Sequence, residues 1–401
     1  MRRKRIALIS VWFAPNSAVA VNRMNAFAKY LGTSYELEVF TLGKTTRTEQ
    51  KEFGTVHYFS TSKLMDKLEH SSSDGKLIHF FKTALNVVAS KLGVSKYDTW
   101  RKKTVKALLK RQMESPFDIV ISSYAPIEPH DIAFEIKQKY PKVKWIADMR
   151  DEMSKNPFIS VRVKAKLEQR ELKFANEIDA LITVSEPILE DFKTIFPKVS
   201  HFEEVRNGYD HNVLPSKEFN DKFTIVYAGT FYSSNKPVLF FKQLEALIRS
   251  GEIGRDIHLK FVGTHKNFDI PSLIVPFVEF IPKVEYIKAI EFMRNADCNL
   301  IQCPPFDTKG RYTGKLFDYL SVERPILGLL DKEDVAAELI WEHQAGFVAD
   351  FHNEEEIRKA LLDAYGLWKN KEHLPIKSDK TKELHRKHQV DKLKQLIELI
   401  D

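Results

Sequence analysis

The chain has 401 residues, 43% of them hydrophobic and 29% charged, which is too long for one ordinary core and too apolar for a disordered chain, so two domains are expected. Two cysteines, Cys298 and Cys303, are too few for a disulfide framework, and no neighbouring His or Cys spacing completes a zinc site, so no metal is expected. The net charge of +7 is uneven: residues 1–205 hold 34 Lys and Arg against 25 Asp and Glu, an excess of nine, while residues 206–401 hold 28 against 30.

From the basic start at Arg2 to Arg5 the sequence passes directly into short apolar runs, Ile6–Ser10, Leu37–Leu42, Asp118–Ser122, Lys144–Asp148 and Ala180–Thr183. Their length and composition predict buried strands. Between several of them lie stretches of helical period, Asn22–Leu31, Asp131–Tyr140 and Glu186–Phe196, the rhythm of a doubly wound parallel sheet. Residues 61–115 break that rhythm and are read as a helical insertion. Within it Leu77, Phe81, Leu85, Val88 and Leu92 share a helix face ringed by Lys76, Lys82 and Lys91, an arrangement suited either to packing on its own domain or to an anionic membrane surface.

The turn Asn207-Gly208-Tyr209-Asp210 and the polar stretch after it mark a boundary near residue 207. A second series follows: strands Phe223–Ala228, Ile257–Val262, Cys298–Gln302 and Pro325–Leu329, alternating with helices Val238–Arg249, Val284–Arg294 and Lys315–Leu320. The tail gives helices Glu354–Trp368 and Lys380–Ile400. The expected fold is therefore α/β, with two Rossmann-like domains at 1–207 and 208–379 facing a cleft, followed by a last helix at 380–401.

No run of about 18 apolar residues occurs and no signal-peptide core follows the basic start, which predicts a cytoplasmic protein, peripheral at most on the inner face of a membrane. The basic first half suits phosphate or lipid head groups, or is a plain solvated surface. No helix-turn-helix, zinc finger or aromatic RNA motif is present, so nucleic acid is not an expected partner.

In doubly wound sheets ligands meet the carboxyl ends of strands, where helix N-termini present free N–H groups. The strongest cluster is Gly310-Arg311-Tyr312-Thr313-Gly314-Lys315-Leu316-Phe317-Asp318, a loop entering a helix. Small residues would let a phosphate reach the amides of Thr313 and Gly314, Arg311 and Lys315 would neutralise it, and Asp318, about a turn on, would accept from ribose hydroxyls. A helix simply capped by Thr313 explains the same residues without a ligand.

The run Thr-Gly-Lys-Leu-Phe-Asp-Tyr-Leu and the later Arg324-Pro325-Ile326-Leu327 resemble the donor-binding segment of retaining glycosyltransferases of the GT-B fold, the large family 4-like group of bacterial polysaccharide enzymes. Ile6–Ser10 with the loop through Asn16 to Arg23, the strand end Asp148-Met149-Arg150-Asp151, and Val226–Thr230 with Lys236 beyond it fall in the family's order. The resemblance implies a carboxylate at Asp318 holding the ribose. It implies a phosphate loop at Gly229, Thr230 and Gly263, with Asn16, Arg23, Asp148 and Arg150 on the acceptor side, and a last helix, 380–401, that crosses back to the first domain. A carboxylate that the family often carries eight positions earlier is here Gly310.

Glycosyl transfer develops negative charge on a departing nucleoside diphosphate, which cations and N–H donors stabilise. Lys236 and Lys315 are the candidates for that role, with His130 and Asp151 as catalytic candidates on the first domain. The expected co-substrate is a UDP- or GDP-linked sugar, with no other cofactor, and the acceptor a saccharide or lipid-linked molecule. Two alternatives stay open: an epimerase of nucleotide sugars on the same fold, and a non-catalytic nucleotide-sugar-binding subunit.

Overall fold

The computed structural model describes residues 2–15, 19–61, 95–231 and 235–400. Asn16 and the segment from Leu77 to Leu92 lie outside the described residues. The chain forms two compact units, Met1–Val205 with Val390–Asp401, and Arg206–Gln389.

The first unit is built on eight strands: β1 (Arg5–Ser10), β2 (Glu36–Leu42), β3 (Arg47–Lys51), β4 (Gly54–Phe59), β5 (Ile119–Tyr124), β6 (Lys144–Met149), β7 (Ala180–Thr183) and β8 (His201–Glu204). Their order is β3-β4-β2-β1-β5-β6-β7-β8, parallel throughout except that β3 pairs antiparallel with β4. The five runs expected as strands form the centre, because Val, Ile and Leu in unbroken sequence suit a sheet covered on both faces. The edge strand β3, Arg-Thr-Glu-Gln-Lys, carries no apolar residue at all, a composition that protects an edge and hides the strand from a hydrophobicity reading.

Helices cover both faces of this sheet: α1 (Val19–Leu31), α2 (Asp98–Glu114), α3 (Glu128–Lys139), α4 (Val161–Phe174) and α5 (Glu186–Ile195). The last part of the expected insertion belongs to the fold proper, since α2 places Trp100 and Leu108 in one core with Val120, Trp145 and Phe174.

In the second unit the strands are β9 (Phe223–Ala228), β10 (Ile257–Val262), β11 (Val278–Ile281), β12 (Cys298–Gln302), β13 (Ile326–Leu330) and β14 (Gly346–Asp350). The order β11-β10-β9-β12-β13-β14 reverses direction between β9 and β12, the switch point at which such sheets open a ligand crevice beyond their carboxyl ends. Around it lie α6 (Val238–Ser250), α7 (Tyr286–Arg294), α8 (Gly314–Ser321), α9 (Val335–Glu342) and α10 (Glu354–Asn370).

The single tail helix expected over 380–400 is instead two, α11 (Ser378–Glu383) and α12 (Arg386–Leu399). The break falls where the backbone leaves the helix to pair with the turn after β8: Tyr209 N–H donates to Leu384 O at 3.2 Å and Arg386 N–H to Tyr209 O at 2.9 Å. Gly208 permits that approach, with φ +62° and a position where a Cβ would sit 2.3 Å from Leu384 O. The end of α12 returns to the first unit, burying Leu393, Leu396 and Ile397 beside Ile6, Leu8 and Met24.

Candidate functional site

The switch point of the second unit brings most of the expected donor residues together. Gly229 follows β9 with φ +124°, and a Cβ there would lie 3.2 Å from the Lys315 Nζ. The positive φ favours glycine here, and the missing side chain leaves the lysine tip close against the backbone. Gly263 follows β10 and its own added Cβ would lie 3.8 Å from Gly229 N, so two glycine backbones and one ammonium line the same spot. Lys315 Nζ donates to the Tyr227 hydroxyl at 2.8 Å and lies 4.1 Å from that ring's centroid. Burial, offset in part by Cys303, pushes this ammonium down to about 8, so it stays mostly cationic at neutral pH, and among the described residues no carboxylate pairs with it.

Lys315 sits in the first turn of α8, where the amides are free of intrahelical partners and the dipole favours an anion. Thr313 occupies the N-cap position, yet its side chain makes no capping bond. Its hydroxyl is buried without a hydrogen-bond partner among the described residues. The plain capping explanation of this threonine therefore fails, and a buried donor aimed at a helix N-terminus is left for something else.

One turn along, Asp318 accepts from the Tyr286 hydroxyl at 2.6 Å. Burial raises its carboxyl to about 6, against the pull of Tyr286 and the charge of Arg386. Behind it, Ser321 Oγ donates to Asp318 O at 2.6 Å and shares a 2.8 Å hydrogen bond with His211 Nε2, which locks α8 to the chain just after the 207–210 turn.

Other expected donor residues stand around this centre. Gly310 has φ +98°, and its N–H donates to Asp334 Oδ1 at 2.7 Å; the loop's shape requires glycine there, and a carboxylate comes to it from the start of α9. Arg311 lies 5.5 Å from the Phe306 ring centroid. Thr230 is exposed, its hydroxyl 3.5 Å from Gly263 O. Lys236 is exposed just ahead of α6, lining a hollow of about 920 Å³ with Phe241, Lys242, Lys266 and Phe268. Its neighbour Asn235 is tied to the end of β12 by Gln302 Nε2 at 2.7 Å.

In the first unit the expected residues divide differently. Arg23 and Asp148 are buried and paired at 2.7 Å, with Arg23 also donating to Val205 O at 2.6 Å and Ser123 to Asp148 at 2.8 Å. They are a structural tie between α1, β5, β6 and the end of the unit, in place of the acceptor contacts expected of them: neither has a face left for a ligand.

His130 is likewise corrected. It is wholly buried, sharing hydrogen bonds with Ser122 Oγ at 2.6 Å and Met149 S at 3.1 Å, and burial lowers it to about 3, keeping it neutral. Packed against Trp145 and Phe174, it is a core residue and not a proton carrier at a site. Arg150 and Asp151 do reach the surface end of β6, 3.5 Å apart, with Asp151 half-exposed.

Three residues escaped the sequence reading. Tyr227 looked like one more apolar strand residue, Tyr286 like a helix start. Trp12, at the end of β1, donates from Nε1 to Ala125 O at 2.8 Å, the carbonyl that also accepts from Arg150 at 3.0 Å. An aromatic residue just beyond a strand's carboxyl end is the signal that would have found it.

No protein-family model matches the chain, and no curated protein matches it in sequence. Solved structures match in shape over the whole length. Sucrose-phosphate synthase of Thermosynechococcus elongatus superposes with a TM-score of 0.62 at 12% identity, covering 100% of both chains. Anabaena HepE, solved with UDP and glucose, gives 0.57 at 11% identity over 99% of each. The fold is GT-B. TarM of S. aureus, solved with Fondaparinux, alpha-GlcNAc-glycerol and UDP, gives 0.61 at 10% identity over 98% of this chain and 99% of its own. In GT-B terms, the crevice between β9 and β12 is where the described residues gather cation, glycine backbone and carboxylate.

Proposed function

We propose that the protein is a glycosyltransferase that moves a sugar from a UDP- or GDP-linked donor to a saccharide or lipid-linked acceptor, with retention and without a metal ion, at the cytoplasmic face of a membrane. The observation that carries this is the head of α8, which holds a buried Thr313 hydroxyl with no hydrogen-bond partner among the described residues and, two residues on, a half-buried Lys315 whose ammonium lies against Gly229. Similar folds solved with UDP, HepE and TarM, support a nucleoside diphosphate as the ligand.

In this reading the diphosphate lies on the first-turn amides of α8, with Lys315 on one of its oxygens and Thr313 donating to another, while the ribose hydroxyls take the place of Tyr286 on Asp318. The bond from the anomeric carbon to the terminal phosphate oxygen breaks, a bond to the acceptor oxygen forms, and the acceptor's proton leaves with the nucleoside diphosphate. Fixed donors that already point at the departing oxygen lower the barrier more than groups that must reorganise. On the first unit, Arg150 on the acceptor side and Asp151 as a catalytic candidate stand together at the end of β6.

The test is incubation of the protein with a panel of radiolabelled UDP- and GDP-sugars, with and without simple saccharides and isoprenoid-linked acceptors, in buffer containing EDTA. Label transferred only when an acceptor is present supports the proposal. Nucleotide binding with no transfer to any acceptor favours the binding-subunit alternative, and a changed sugar without acceptor favours the epimerase.

A further inference from the structure

Among the described residues, one face of α2 is left uncovered. Trp100, Thr104, Leu108 and Gln112 form the buried stripe of this helix. At about 100° per residue, Val105, Leu109 and Met113 form an apolar stripe beside it, and Lys102, Lys106 and Lys110 a third stripe turned furthest outward. All six line a shallow groove of about 620 Å³, together with Arg101 and Glu135. Met113 is 72% exposed, and the three lysines are exposed as well. The acid of the groove, Glu135, is held by Arg101, and Lys110 has Glu114 at 3.6 Å. Among the described residues Lys102 and Lys106 have no ion pair, so the face carries net positive charge.

We propose that this face of α2 docks on an anionic lipid bilayer. An apolar stripe beside lysines repeated every fourth residue matches a membrane interface: the apolar side chains enter the acyl boundary, and the long lysine stems carry their ammonium groups up to the phosphates. The charge is complementary, and it stands in the half of the chain that carries an excess of nine basic residues. Nucleic acid would reward the lysines but not the exposed Met113 and the half-buried Val105 and Leu109 beside them. The inference explains how the protein would reach a lipid-linked acceptor, but vesicle binding needs neither donor nor acceptor, so it stands or falls separately from the glycosyl-transfer reading.

The test is flotation of the full chain with phosphatidylcholine vesicles, with and without phosphatidylglycerol. Binding is expected to the anionic vesicles alone and to be lost in high salt. Each lysine near such a surface is worth about fivefold, so the triple variant Lys102→Gln, Lys106→Gln, Lys110→Gln should bind roughly 100-fold more weakly. Met113→Gln should weaken binding a few-fold and leave the remainder more salt-sensitive. All four positions are exposed, and an unchanged thermal melt checks that the variants are folded. Wild-type protein that ignores anionic vesicles, or a folded triple variant that binds them undiminished, would overturn the proposal. So would binding of single-stranded DNA in place of vesicles, unaffected by Met113→Gln, which would make the face a nucleic-acid surface.

Discussion

Replacing Lys315 by Met separates a ligand-binding lysine from a structural one, because the two roles predict opposite signs. Lys315 titrates at about 8 in the fold, against 10.5 for an ordinary lysine, with burial as the main cause. Holding the ammonium in this setting therefore costs the fold up to about 3 kcal/mol at pH 7. Between pH 8 and 10.5 the unfolded chain binds more protons at this site than the folded one, so wild-type stability should rise with pH across that window. Lys315→Met keeps the side chain's volume and removes the charge. In the absence of ligand it should raise the Tm, or at least not lower it, and the rise in stability between pH 8 and 10.5 should flatten.

Binding should move the other way. A charge-assisted hydrogen bond to a phosphate oxygen is worth about 1.5–3 kcal/mol, so the Kd for UDP or GDP should weaken roughly 10- to 150-fold in the variant. In wild type, affinity should also fall as pH rises above 8, when the free ammonium is lost, and Lys315→Met should abolish that dependence. Isothermal titration at pH 7 and pH 9.5, with thermal melts of the free protein over the same range, reads all of these quantities. A variant that is less stable without ligand and binds the nucleotide as before would refute the reasoning, since Lys315 would then be a packing residue held by Tyr227.

Four further outcomes are expected. Tyr286→Phe removes a hydrogen bond that favours the charged form of Asp318, so the midpoint near pH 6 below which nucleotide affinity declines should move upward, as read by titration calorimetry across pH 5–7. Burial opposes the charge of Glu38, yet its bonds to His57 and Arg111 win and hold its carboxyl down to about 2. That stability is present above about pH 4.5 and lost as pH falls toward 2, so Glu38→Gln should cost about 3 kcal/mol at pH 7 and much less at pH 3, read as urea midpoints. Leu393→Ala, in the returning helix α12, should cost about 2–5 kcal/mol through the cavity it leaves in the first unit. His130→Gln should lower stability while leaving the shape of the pH–rate profile unchanged, because the wild-type imidazole stays neutral over the working range.

What the sequence made legible follows from how far each feature depends on neighbours in the chain. The central strands are unbroken apolar runs and were placed to within two residues, and the head of α8 was readable because glycine, threonine and lysine at a helix start are a local pattern. Edge strand β3 was invisible, since its stability comes from pairing with β4 and not from burial of its own side chains. Partners far apart in sequence were invisible for the same reason: Tyr227 and Lys315 are 88 residues apart, Tyr286 and Asp318 32, Arg23 and Asp148 125.

The same limit explains the opposite outcomes for His130 and Lys315. Both stand near the start of a helix that follows a strand, and residue type and spacing made both candidates for chemistry. Burial separates them. His130 is enclosed with both ring nitrogens satisfied, so its lowered proton affinity only records a neutral core residue. Lys315 is drawn from water against Gly229, two residues after a threonine hydroxyl with no partner among the described residues. An ammonium drawn away from water, with no carboxylate paired to it among the described residues, destabilises the fold, and on the proposed reading a diphosphate oxygen would offset that cost. A poor fit of this kind, at a helix start beside a glycine backbone, is what the proposed ligand-binding role requires of Lys315 and what a purely structural role does not.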